Sequence, residues 1–466
     1  MAVQSFQDGV PALTDSVSSA GMQSIEGARP GSQKVVYDIT RLVTRALNPS
    51  PNGIDRIDFA LARHFLGASA KQNEALICTC LGLGLRLAPA SVAAQTITDI
   101  ETYWNEFIDP QADEVYEALV TALTKKEAQA PSAPRVKRGL RADIVIENWR
   151  AVRQWAFRPG RSVMDVPEGA IYFNASQFLL DKQWVLHWLD RRRDVKPVFF
   201  VHDLLPIDYP EFFRPAETAQ HLIRMRNICR YGAGVIVGSQ AVARRLQAFA
   251  AENGRPDMAI CVARPPVSPA FEAPTAQDPR LDGINYFVVC GTIEPRKNHL
   301  MLLKLWRELA SRGSPPKLVI VGKRGWLNEN VLDLLNRSRP LRPCVIEAGG
   351  LSTPGLRRLM SGARALLMPS FAEGFGLPIA EAMAAKVPVI ASDIEVFREI
   401  GGDALEYVDP LDGLGWLAAV EAYAKPDSAR RREAIGRLAW AKLSRGRDFL
   451  ARVDEFLTSV GRTQVR

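Results

Sequence analysis

Two glutamates, eight positions apart, bracket the segment Glu373-Gly374-Phe375-Gly376-Leu377-Pro378-Ile379-Ala380-Glu381. Gly374 and Gly376 permit close backbone approach and positive φ. Pro378 suits the first turn of a helix, where its missing N–H costs nothing. The preceding run, 365–368, is apolar and ends at Pro369, so the pattern predicts a strand, a loop and a helix start near Leu377. The free N–H groups of such a helix start suit a phosphate. A carboxylate accepts through two oxygens, which suits paired hydroxyls on a sugar or a ribose. Glutamates at this spacing alone carry little; the glycines, the proline and the strand-loop-helix setting give the segment its chemistry. A glycine-rich turn with Glu373 capping the helix is the plain alternative.

A second polar string follows the apolar run 286–290: Gly291-Thr292-Ile293-Glu294-Pro295-Arg296-Lys297-Asn298-His299. Arg296 and Lys297 are adjacent cations just past a strand's carboxyl end, where doubly wound sheets bind ligands. The alternative is a solvated pair at a helix start. In the first half, His202 and Asp203 close the apolar run 198–201. A histidine at a strand end can exchange a hydrogen bond with a hydroxyl, or serve only structure. Asp203 can act beside it or cap the following turn. Asn52-Gly53-Ile54-Asp55-Arg56 offers close backbone approach at Gly53, or an ordinary Pro-Asn-Gly turn.

These residues need elements to position them. Strand-like runs stand at 35–39, 75–80, 171–174, 198–201, 235–237 and 259–262, with amphipathic segments between them. A further set stands at 286–290, 318–321, 344–347, 365–368, 387–390 and 405–407. Strands alternating with helical patterns predict parallel sheets with crossover helices, which bind ligands at the carboxyl ends of their strands. Residues 1–33 read as a disordered leader. Residues 34–268 read as one domain, the proline-rich 269–284 as a linker, 285–428 as a second domain, and 429–466 as a long arginine-rich helix able to pack back on the first.

Composition narrows the class. With 466 residues and 47% hydrophobic content, the chain can bury two cores. A formal charge of +8 calls for anionic partners without choosing among them. The six cysteines form no C-x-x-C pair or metal-ligand spacing and read as reduced core thiols. The longest apolar stretch, 75–87, is too short to span a bilayer, and no secretory signal stands at the start. The expected place is therefore the cytoplasm, free or peripheral on the inner face of the cytoplasmic membrane. Arginines and lysines interleaved with Trp149, Trp155 and Phe157 across 135–161, joined by Trp184, Trp188 and Arg191-Arg192-Arg193, fit an anionic membrane surface. They fit a solvated helix face with core tryptophans equally well.

The segment 373–381 resembles the E-x7-E signature of glycosyltransferase family 4, retaining enzymes with the GT-B fold. The string 289–299 resembles a second signature of that family. Val321-Gly322-Lys323-Arg324-Gly325-Trp326, Gly349-Gly350-Leu351-Ser352 and Pro388-Val389-Ile390-Ala391-Ser392 extend the similarity over nearly all of 285–410. The resemblance implies an α/β fold of two Rossmann-like doubly wound domains facing each other across a cleft. It implies a nucleotide-sugar donor site in which Glu373 binds sugar hydroxyls, Glu381 binds the ribose, and Arg296 and Lys297 hold the diphosphate. Gly291, Gly374, Phe375, Gly376 and Leu377 would line that site. Some members carry an arginine where this chain has Thr292, which would leave the phosphates more to Arg296 and Lys297. His202 resembles the family residue beside the anomeric carbon. Gly53 resembles the acceptor-loop glycine, with Asp203 also in the cleft.

The family's chemistry implies front-face attack, in which the departing phosphate oxygen takes the acceptor's proton. No general base is assigned, and no metal or other cofactor is expected. The strings 294–298 and 322–326 look most like bacterial polysaccharide mannosyltransferases. That implies GDP-mannose as donor and a saccharide or polyprenyl-diphosphate-linked acceptor. A UDP-sugar donor, a related phosphorylase or synthase, and a non-catalytic binder of anionic surfaces are the alternatives. No lysine motif for a pyridoxal cofactor and no nucleic-acid-binding motif appear.

Overall fold

The computed structural model describes residues 34–45, 51–67, 73–78, 84–105, 113–124, 135–137, 160–272, 277–313, 315–439 and 443–462. The predicted leader, 1–33, lies outside them. Two sheets carry the described residues. The first runs, edge to edge, Arg161–Ser162, Leu85–Ala88, Glu74–Cys78, Val35–Asp38, Ile171–Asn174, Lys196–Val201, Gly234–Val237 and Ile260–Val262. Six of these meet the predicted runs. Leu85–Ala88 and Arg161–Ser162 are antiparallel additions at one edge.

The second sheet is parallel throughout. Its order is Glu406–Val408, Val389–Ser392, Leu366–Met368, Tyr286–Cys290, Lys317–Val321, Val345–Gly349 and Arg135–Lys137. The chain winds outward from Tyr286–Cys290 in one direction and then returns to wind out in the other. The strand order thus reverses between Tyr286–Cys290 and Leu366–Met368. A doubly wound sheet opens its ligand crevice at that reversal, beyond the strands' carboxyl ends. Both polar strings of the sequence leave the sheet there.

Apolar runs form these strands because both sheet faces are covered. Tyr286, Val288 and Cys290 enter one core, and Phe287 and Val289 enter the other. In the first sheet Val35 and Tyr37 face one core and Val36 the opposite one.

Two segments depart from the linear order of the sequence. Helix Glu114–Thr124 packs Val115, Tyr116, Leu119, Val120 and Leu123 into the core of the second sheet, and Arg135–Lys137 pairs with Val345–Gly349. Both lie inside the stretch 34–268 that the sequence assigns to the first domain. The predicted terminal helix is two helices, Ala429–Leu438 and Gly446–Arg462. The second lays Phe449, Val453, Leu457 and Val460 on the first sheet. Their i, i+4, i+8, i+11 spacing forms one apolar stripe, each side chain worth about 1.5–3 kcal/mol when buried.

Candidate active site

The apolar strand Leu366–Met368 delivers Pro369 to the crevice, and the helix Leu377–Ala384 begins eight residues later with Pro378 in its first turn. The loop between holds Glu373 with its side chain only 7% exposed. Arg296 Nη1 lies 2.6 Å from its Oε2, Lys297 Nζ bonds its Oε1, and Ser370 Oγ donates to Oε1 at 2.8 Å. Burial pushes the Glu373 carboxyl up, but Arg296 and Lys297 overcome this and hold it at about 2. The carboxyl is therefore ionised at neutral pH.

Arg296 also spans to Glu294, Nη2 to Oε1 at 2.7 Å, and donates to Ala372 O at 3.1 Å. Burial pulls Arg296 down, while Glu373, Glu294 and Asp203 raise it well above the ordinary value. Burial lifts Glu294 despite the two cations. The two strings thus meet each other directly, Arg296 and Lys297 against Glu373.

The glycines of the loop do different work. Gly376 alone takes a left-handed conformation, φ +113°, where a Cβ would stand 2.9 Å from Phe397 Cε1. Gly374 has no positive φ. Its constraint is close approach, since a Cβ would stand 2.5 Å from the carbonyl oxygen of His202. Of the two freedoms that glycine permits, Gly376 uses positive φ and Gly374 uses close approach. Ser239 Oγ donates to Gly374 O at 3.0 Å, and the Glu399 carboxylate accepts from Gln240 N at 2.8 Å. Phe212 stacks on Phe371 at 5.7 Å, and Trp326 Nε1 donates to Phe212 O at 2.9 Å. These contacts seat the loop 369–376 and its neighbours against elements of the first sheet.

His202 follows Lys196–Val201 and is half-buried. Its Nε2 lies 2.9 Å from Ala175 O. A carbonyl only accepts, so Nε2 carries the proton and Nδ1 is the ring's acceptor. Burial lowers the ring to about 4, which keeps it neutral at pH 7. Asp203 Oδ1 accepts from Leu205 N at 3.1 Å, the turn-capping arrangement. His221, absent from the sequence reading, holds Asp203 O at 3.1 Å.

Asn52-Gly53 is neither a free loop nor a turn. Asn52 caps helix Gly53–Leu66, its side chain accepting from Asp55 N at 2.9 Å. A Cβ on Gly53 would meet Leu377 Cδ1 at 3.1 Å, so this helix start lies against the start of helix Leu377–Ala384. Three residues on, Arg56 bonds Glu381 and reaches Thr353 Oγ1 at 3.3 Å. Glu381 is buried against Arg56; burial raises its carboxyl and Arg56 opposes that rise. Arg56 carries no role in the sequence reading, because nothing local marks its contact with a residue 325 positions away.

The surface reading fares differently. Among the described residues Trp184 is exposed, Trp188 is buried and Arg192 pairs with Asp194 at 2.6 Å. Trp149, Trp155 and Phe157, with most of the basic stretch 135–161, lie outside the described residues.

Comparison with known proteins follows from this geometry. The family model for group 1 glycosyl transferases matches residues 275–410, the second sheet's core and both polar strings. The serotype-specific mannosyltransferase WbdA of Escherichia coli is 31% identical over 262 residues, 52% of this chain and 32% of that protein. The chain thus spans about a third of that relative's length. O-antigen chain mannosyltransferase B of Escherichia coli is 36% identical over 179 residues, 38% of this chain and 46% of that protein. The solved structure of HepE from Anabaena, in complex with UDP and glucose, covers 92% of this chain and all of its own at a TM-score of 0.55 and 15% identity. An Escherichia coli structure bound with UDP-2-fluoro glucose, titled trehalose-6-phosphate, covers 93% of this chain and all of its own at 0.55 and 12%. At these identities the likeness establishes the fold: two parallel-sheet domains of the GT-B type.

Proposed function

We propose, from the match of residues 275–410 to the group 1 glycosyl transferase model and the similarity to two Escherichia coli mannosyltransferases, that the chain is a retaining mannosyltransferase. Its donor is GDP-mannose and its acceptor a growing, lipid-linked surface polysaccharide. The observation that carries this reading is Glu373, ionised and buried between Arg296 and Lys297 where the strand order reverses.

On donor binding, the two cations exchange Glu373 for the diphosphate, and the freed carboxylate accepts from sugar hydroxyls. Gly291, Gly374, Phe375, Gly376 and Leu377 bring backbone to the donor, and Glu381 takes the ribose. The bond from the anomeric carbon to the diphosphate oxygen breaks while a bond to the acceptor oxygen forms on the same face. The acceptor's proton passes to the departing phosphate oxygen. Arg296 and Lys297 stabilise the charge that gathers there. His202, neutral, accepts a hydroxyl's hydrogen bond at Nδ1 beside the reacting carbon. In this reading the cations do the work a metal does in other transferases, and none is needed.

A thermal-shift and hydrolysis screen across nucleotide sugars tests the donor, since a ligand of the native state raises its melting temperature. GDP-mannose should give the largest shift and release GDP, with an α-linked product by NMR. A larger response to a UDP-sugar overturns the donor, and a β-linked product overturns retention. No binding or turnover with any sugar nucleotide overturns the enzyme in favour of a binder of anionic surfaces.

A lipid-linked acceptor would draw the chain to the cytoplasmic face of a membrane. Among the described residues no helix is long and apolar enough to cross one. Flotation with anionic vesicles should carry the chain upward at low salt. A chain left at the bottom of the gradient overturns the attachment.

A further inference from the structure

Glu381 and Arg56 stand 325 positions apart and belong to helices of different sheets. The contact is held from both sides. Gly53, at the head of Arg56's helix, lies against Leu377, at the head of Glu381's helix. The second amino group of Arg56 reaches Thr353, the first residue of helix Thr353–Ser361. Arg56 Nε is buried and has no hydrogen-bond partner among the described residues, so the guanidinium is not saturated by this arrangement. Both side chains line one cavity of about 700 Å³, walled by Phe59, Trp104, Val267 and Phe449.

We propose that Arg56 is a positioning residue for the donor: it holds the Glu381 carboxylate charged and oriented for the ribose hydroxyls, and so ties donor binding to the alignment of the two sheets. This rests on the reading of Glu381 as the ribose acceptor. An ionised carboxylate accepts two hydroxyl hydrogen bonds, whereas a protonated one spends an oxygen as a donor. Burial alone drives Glu381 toward the protonated form, and Arg56 is the cation set against that drive. The Cys290 thiol, at the end of the strand Tyr286–Cys290, is pushed up by burial and then by Glu381, against Arg56 and Lys297. Arg63, His64, Glu101 and Glu272 lie elsewhere on the cavity wall.

The test is calorimetric titration of the full chain with GDP, and with UDP should that bind better, from pH 6 to pH 9. Wild type should lose less affinity toward pH 6 than a variant without the cation. Arg56→Met should bind at least about tenfold more weakly at pH 6 and recover as pH rises and Glu381 ionises unaided. Arg56→Lys, which keeps a cation, should stay near wild type at every pH. Glu381→Gln should be weak at all pH, and adding Arg56→Met to it should change nothing further. Should Arg56→Met lose its cooperative melt, Arg56→Gln takes its place. A pH-flat Kd for the uncharged variant, with Glu381→Gln still weak, overturns the role of Arg56 alone. Wild-type affinity in Glu381→Gln overturns the ribose assignment beneath it.

Discussion

Glu373→Gln is expected to lower sugar transfer by a factor on the order of 100 to 1,000, the usual effect of removing one preorganised transition-state contact. The amide keeps the size of the side chain and one acceptor oxygen. What it removes is the negative charge between Arg296 and Lys297. That loss also falls on the folded state. Taking one member from a buried ion cluster costs about 3–5 kcal/mol, because the partner charges stay behind unpaired. Glu373→Gln should therefore melt at a lower temperature than wild type. A nucleoside diphosphate supplies the missing anion, so GDP should raise the melting temperature of the variant more than that of wild type.

The pH dependence has a definite sign. The Glu373 carboxyl titrates at about 2 in the folded chain against an ordinary 4.5, a difference worth about 3 kcal/mol. A depressed carboxylate stabilises above its unfolded value and loses that contribution as pH falls through the folded one. The stability gap between wild type and Glu373→Gln should be full above about pH 4.5 and close as pH approaches 2. Equal melting at pH 7 with full activity would remove Glu373 from the site.

The sequence revealed what local chemistry encodes. Buried parallel strands are continuous apolar runs, so 286–290 and 171–174 could be placed to the residue. The segment 373–381 was legible because a strand, two glycines and a helix-start proline must fall in that order to expose backbone N–H groups. Contacts between distant segments were not legible. Arg135–Lys137 alternates charge with one valine and carries no strand signal; the exposed edge of Val345–Gly349 recruits it. Helix Glu114–Thr124 has an amphipathic pattern that shows a buried stripe without showing which sheet buries it. The pairing of Arg56 with Glu381 is of the same kind. Gly374 and Gly376 look alike in sequence, yet one is required by φ and the other by the His202 carbonyl. Only the packed loop separates those reasons.

Arg296 and Lys297 are adjacent cations with one expected partner, yet they should not fail alike. Arg296 spans two carboxylates, Glu373 at 2.6 Å and Glu294 at 2.7 Å, while among the described residues Lys297 pairs with Glu373. Lys297→Met leaves Glu373 paired through Arg296, so the fold should hold while transfer drops on the order of 100-fold from one lost phosphate contact. Arg296→Met strips Glu294 of its ion-pair partner and leaves two buried acids beside one lysine. It should lose as much activity and also about 3–5 kcal/mol of stability. Arg296→Lys decides between charge and shape. A lysine is a point charge and cannot bridge two carboxylates as a planar fork does. It should recover part of the stability and little of the rate. The double variant should lose less than the product of the single losses, since both residues serve one diphosphate. Steady-state rates with GDP-mannose, read beside urea denaturation, separate the outcomes. Full rate in Arg296→Lys would mean that charge alone holds the donor, and equal stability of Arg296→Met and Lys297→Met would mean that the bridge to Glu294 carries nothing.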